Sequence, residues 1–151
     1  MNLTPYDVSL VTQALAAQLR ADTRLADAVV ERSEEVNALP SRCPWIGVYR
    51  QSTEYPTRTL GLGAGYRNQR VRLILLLQQA DIASGESCEV ALEALVQSVL
   101  SVLMTDATLG GAVQTLDEIE VQYPDYQKTA DSVFMQTAAI YITALGGVTA
   151  T

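Results

Sequence analysis

The 151-residue chain has no histidine, one lysine, one tryptophan, one phenylalanine and two cysteines. The missing imidazole excludes Ser-His-Asp and Cys-His catalysis, His-ligated zinc and imidazole proton shuttling. Cys43 and Cys88 are too few and too far apart for a disulfide framework, and they supply too few thiolates for zinc. They read as buried free thiols in a reducing compartment. Basic side chains are also scarce, ten against seventeen acids, for a formal net charge of -7. That balance argues against tight phosphate binding, which needs clustered Lys and Arg. Residues 1–6 lack the basic stretch and apolar run of a secretory signal, and no apolar stretch reaches bilayer-spanning length. The expected place of synthesis is the cytoplasm, with no membrane partner.

The hydrophobic fraction of 48% is enough for a core, and the length predicts one domain over residues 1–151. Charge is unevenly placed along it. Residues 1–72 hold all nine arginines and seven acids, whereas residues 73–151 hold Lys128 and ten acids. A near-neutral half and a strongly acidic half predict distinct electrostatic faces.

Thr4-Pro5-Tyr6-Asp7 predicts a helix start, with Thr4 as cap, Pro5 in the first turn and Asp7 at the positive end of the dipole. Val8, Val11, Leu15 and Leu19 recur at helical spacing to about Ala21. Residues 22–32 predict a short helix or turn feeding a strand. Prolines 40 and 44 keep the next stretch extended, and Trp45 to Arg50 reads as a strand. Residues 68–79 form the clearest strand: Val71, Leu73, Leu75 and Leu77 line one face, Ile74 and Leu76 the other. Both faces are expected to be buried, in the interior of a sheet. Ser84-Gly85-Glu86 opens a second helix whose broad apolar stripe runs from Val90 to Met104, and Gly110-Gly111 closes that region. Residues 112–123 and 131–145 predict two more strands, separated by a turn at Pro124-Asp125-Tyr126. The resulting class is α+β, a two-layer α/β arrangement in the order α-β-β-α-β-β. Its four-stranded, mainly antiparallel sheet carries both helices on one face.

Between the first two long strands, residues 54–67 contain Pro56 and the alternating glycines Gly61, Gly63 and Gly65, which predicts a long flexible hairpin tip. The run lacks the Gly-Lys-Ser/Thr ending of a P-loop and does not join a strand to a helix, so it fails both nucleotide-binding patterns. Two readings stay open, a tip that orders against a partner and an ordinary loop. On the first, Arg58, Leu60, Gly61, Leu62, Gly63, Gly65, Tyr66 and Arg67 are the candidate contacts to a neighbouring subunit or partner. Arg70 and Arg72 share a strand face, and with so acidic a chain they are expected in salt bridges rather than on nucleic acid. Glu118 and Glu120 point the same way along their strand while Asp117 points oppositely, which fits a solvated face better than a carboxylate pair or a metal site. Trp45 reads as a core anchor. No nucleophile-base pair, metal cluster or cofactor motif emerges, so the expectation is an assembly or binding protein rather than an enzyme, with no cofactor and no metal.

Taken in order, the helix from Thr4-Pro5-Tyr6-Asp7 to Leu19, Asp22-Thr23-Arg24-Leu25, Val29-Val30 and Cys43-Pro44-Trp45-Ile46-Gly47-Val48-Tyr49 carry a family likeness. The strand Arg72-Leu73-Ile74-Leu75-Leu76-Leu77, the helix from Ala91 to Leu103 and the strand from Val133 to Leu145 extend it over nearly the whole chain. This sequence resembles the tail-terminator, or tail-completion, proteins of long-tailed bacteriophages. The resemblance implies a small α/β subunit assembling into a hexameric ring that stops tail-tube polymerisation and offers a joining surface to the head or neck. The implied partners are the tail tube protein, a head-completion or neck protein, and DNA that passes the lumen without specific binding. The implied location is the virion, at the head-proximal end of the tail. Glu118 and Glu120 are then candidates to line the lumen, where like charge keeps DNA from adhering. Neck or head-closure connectors are the nearest alternative, and a dimeric small-molecule-binding α+β module is one of a different class.

Overall fold

A computed structural model describes residues 3–4, 7–32, 40–54, 69–124, 127–128, 133–146 and 149–150. The first helix, α1 (Val8–Ala21), starts one turn later than the sequence pattern suggested. Its cap is Asp7, not Thr4: the Asp7 carboxylate accepts from the Ser9 amide at 3.0 Å and the Ser9 hydroxyl at 2.8 Å. A carboxylate there satisfies a free amide and also faces the positive helix end, which a threonine does less well. Leu3–Thr4 instead forms a short strand, β1, paired with Thr149–Ala150 at the other end of the described chain.

After a 3-10 turn at Thr23–Leu25 come β2 (Val29–Arg32), a second such turn at Pro40–Arg42, and β3 (Trp45–Glu54). Then follow β4 (Gln69–Asp81), α2 (Gly85–Thr105), β5 (Thr115–Gln122), the two-residue β6 (Gln127–Lys128) and β7 (Phe134–Gly146); Thr149–Ala150 is β8. The main sheet runs β2-β3-β4-β7-β5, with β6 also beside β7. All pairs are antiparallel except β2 with β3. The α+β class holds, but the four-stranded sheet in the order α-β-β-α-β-β is corrected: the main path has five strands, and β2 enters between α1 and β3. The turn after α1 feeds a parallel edge strand, which the four-stranded reading omitted.

Both helices lie on one side of this sheet. Val71, Leu73, Leu75 and Leu77 of β4 are completely buried, beneath Val11, Leu15 and Leu19 of α1 and Leu92, Val96, Val99 and Leu103 of α2. Ile46 and Val48 of β3 and Ile140 and Ile142 of β7 extend the same layer. β4 is interior to the sheet, as its composition indicated, but its second face is not closed: Ile74 and Leu76 are only half-buried. An uninterrupted Leu/Ile run cannot reveal that, among the described residues, one of its two faces carries no helix.

Long-range polar contacts fix the layers in register. Gln18 of α1 donates to the carbonyls of Val102 and Asp106 at 3.0 and 3.1 Å, and Arg24 donates to the Thr105 hydroxyl at 3.1 Å. These contacts satisfy the carbonyl end of α2, which lacks a glycine cap, and place a cation at its negative pole. At the other end Ser84 caps the helix through the Ser87 amide, as the sequence predicted. Gly110 and Gly111 lie beyond the helix, in a turn with φ of 70° and 90°. The expectation about membrane-spanning length also needs correcting. α2, with 21 residues, is long and apolar enough by length and composition to cross a bilayer, and in this fold its apolar side packs on β4 and β7.

Two predictions follow from this layering. Leu73→Ala or Leu75→Ala should lower stability by about 2–5 kcal/mol in urea unfolding, whereas Leu76→Ala, on the uncovered face, should cost less than about 2 kcal/mol. Equal costs would contradict one-sided burial. The second concerns acid. Asp22 is lowered to about 2 by the Arg24 side chain and amide. Asp106 is lowered by the Thr108 hydroxyl and nearby amides, and Asp81 by the Ala83 amide and Ser87 hydroxyl. Their folded pKa values lie below the unfolded ones, so their contribution is complete above about pH 4 and is lost as pH falls towards 2. The urea midpoint should fall through that window, and a flat profile would contradict the assignment.

Candidate interaction surface

The strand register places the residues of the uncovered sheet face in transverse rows. Glu54, Arg70, Leu145 and Thr115 form the first, and Ser52, Arg72, Thr143 and Glu118 the second. Tyr49, Ile74, Tyr141 and Glu120 form the third, and Gly47, Leu76, Ala139 and Gln122 the fourth. The last row holds Trp45, Gln78 and Thr137. The face thus grades from charged at the first rows, through two tyrosines, to small and apolar residues beside the tryptophan.

The two ends of this face differ in cover. Glu31 of β2 lies on the same side as Gly47 and is ion-paired to Arg42, so the Pro40–Arg42 turn sits over the Trp45 end. Trp45 is fully buried, yet it lies opposite the helical core rather than in it. The sequence reading of Trp45 as an anchor holds for burial and needs correcting for location. A Cβ at Gly47 would stand 2.5 Å from the Trp45 ring and 2.7 Å from the Tyr49 ring, so only glycine lets both aromatics close over that point. The indole Nε1 and the opposed Gln78 Oε1 are both buried, and neither has a hydrogen-bond partner among the described residues.

Towards the first rows a polar groove is lined by Gln51, Arg72, Glu118, Glu120, Gln122, Tyr141, Ile142 and Thr143. Arg72 pairs with Glu54, whose carboxyl is held below its ordinary range first by the Arg72 hydrogen bond. The expectation of a salt bridge for Arg72 is met within the subunit. Glu118 and Glu120 share the uncovered face and are exposed, as alternation predicted; Glu120 accepts from Gln122 at 3.2 Å. Asp117 is the extra residue of a bulge, where the register skips from Leu116 to Glu118. Among the described residues neither Asp117, Glu118 nor Glu120 has an ion-pair partner, and no group of three or more side chains is arranged to hold a metal ion.

The tip candidates Arg58, Leu60, Gly61, Leu62, Gly63, Gly65, Tyr66 and Arg67 lie outside the described residues. Sequence reasoning missed three arginine roles. Arg20 donates through Nε and Nη2 to the Val30 carbonyl at 3.2 and 2.8 Å, on the outer edge of β2. Arg32 donates to the Ser9 carbonyl at 3.0 Å. Arg50, exposed on β3, has no side-chain hydrogen bond or ion pair among the described residues. Each depends on which strand lies at the edge, and no local sequence pattern encodes that.

Gly47→Ala should destabilise the protein by about 1–3 kcal/mol through overpacking. It should also shift the emission of Trp45, the sole tryptophan; an unchanged spectrum and midpoint would contradict the close ring contacts.

No protein-family model matches this sequence, and no curated protein matches it either. Among solved structures the chain is similar to one from the virion of a native gene transfer agent particle. The identity is 11% and the TM-score 0.43, over 95% of this chain and 100% of that chain.

Proposed function

We propose that this protein is a structural virion component whose copies close into a hexameric ring, capping a phage tail tube and presenting a surface to the head or neck. The observation that supports the reading best is the build of the subunit: a sheet covered by helices on one side only, with an uncovered face and unpaired lateral edges among the described residues. Such a subunit is suited to heterologous contacts, which generate closed rings when the rotation between neighbours closes. The role is steric, with no covalent bond made or broken.

On this reading the uncovered face turns inward, so Glu118 and Glu120 line the lumen and repel passing DNA. The partners are the tail tube protein below and a head-completion or neck protein above. The tip residues between 54 and 67 are assigned to neighbour or tube contact on their sequence alone.

The test uses gold-labelled protein mixed with purified, growing tail tubes under negative-stain electron microscopy. The expected result is label at one end of each tube, in six-copy rings, with arrested elongation. Tubes that grow unlabelled and unarrested would overturn the reading. Label on head vertices instead of tubes would favour a neck connector.

A further inference from the structure

We infer that the Pro40–Arg42 turn is a releasable cover over Trp45, held shut by the Arg42–Glu31 ion pair and able to open while the sheet stays folded. Opening it bares the apolar end of the uncovered face. The device works in the single subunit and does not depend on ring formation.

Trp45 is completely buried, yet it lies on the side of the sheet opposite both helices. Its ring leans over its own strand, within 2.5 Å of where a Cβ on Gly47 would stand. Among the described residues, what closes over this end of the face is the Pro40–Arg42 turn, which also touches β4. A core side chain is normally held by packed neighbours from several elements. This one is capped by a turn of three residues.

The cover is fastened lightly. Among the described residues its side-chain anchor is the Arg42–Glu31 pair, and those side chains are 44% and 21% exposed. An ion pair so open to solvent contributes little and weakens as salt screens it.

Beneath the cover the closed state leaves polar atoms without partners. Trp45 and Gln78 stand directly opposite each other on β3 and β4. The indole Nε1 and the Gln78 Oε1 are both buried, with no hydrogen bond to any described residue. Closing over them strips hydration from one donor and one acceptor and supplies no bond in return. Opening gives both back to water, against the cost of wetting the ring. The two terms oppose each other, so a weak latch is enough to decide between the states. On the helical side of β4, Val71, Leu73, Leu75 and Leu77 bury no polar side-chain atom, and nothing offsets their burial.

Trp45 is the sole tryptophan, so its fluorescence reports this end of the face. Acrylamide quenching of the full chain is measured from about 0.01 M to about 1 M salt, across which the screening length falls roughly tenfold. The expected result is a quenching constant that rises about twofold, with red-shifted emission and unchanged far-ultraviolet circular dichroism. Arg42→Gln should give the high-salt quenching already at low salt, and exchanging the charges, Arg42→Glu with Glu31→Arg, should restore the low value. Gln78→Leu removes the unpaired carboxamide and should keep the cover shut at the salt level that opens the unaltered chain. Arg72→Gln breaks an ion pair at the far end of the same face and should leave Trp45 unchanged. Quenching that ignores salt, or that rises only together with loss of circular dichroism, overturns the inference. So does a Gln78→Leu chain that opens as readily as the unaltered one, or an Arg72→Gln chain that opens like Arg42→Gln.

Discussion

Burial of alternate β4 side chains beneath two helices decides what the rest of the molecule can present. Once Val71, Leu73, Leu75 and Leu77 are committed to the helical layer, the strand period of two sends Arg70, Arg72, Ile74 and Leu76 to the other side. β3, β7 and β5 follow through their registers, so each row of the uncovered face is a consequence of the same commitment. Gln18 and Arg24 hold the end of α2 over that layer. They stop the helix from sliding and so keep the outward rows in place.

Much of this was legible because it is local. The 3.6-residue rhythm of both helices, the Ser84 cap and the alternation in β4 each lie within a few residues. So does the shared direction of Glu118 and Glu120. What stayed hidden depends on partners distant in sequence. β2 is four residues long, half of them charged, and is a strand only because β3 lies beside it. Trp45 reads as core by type, but its side is set by register with Gln78 and by the turn that Arg42 holds over Glu31. The half-buried Ile74 and Leu76 show the limit most plainly. A two-sided apolar run states that a face avoids water, not which copy or element provides the cover.

The charge asymmetry along the chain acquires a spatial meaning through topology. The arginine-bearing strands β2, β3 and β4 occupy one side of the sheet, and the acidic β5 forms the opposite edge. Chain order and sheet order agree closely enough that a sequence imbalance becomes a lateral polarity. Within the subunit Arg24, Arg42 and Arg72 are neutralised by Asp22, Glu31 and Glu54. Among the described residues the β5 carboxylates Asp117, Glu118 and Glu120 have no ion-pair partner. Such leftover charges steer association and fix its orientation more than they add affinity.

Hydrogen–deuterium exchange at rising protein concentration, with and without tube ends, measures most directly whether the sheet margins are where this molecule assembles. Backbone amides that gain a strand partner on association become protected. The account predicts new protection along the edges of the main sheet, β5 included, and in residues 54–67, with the outer surfaces of α1 and α2 unchanged. Protection appearing on the helices while both sheet edges exchange freely would contradict it.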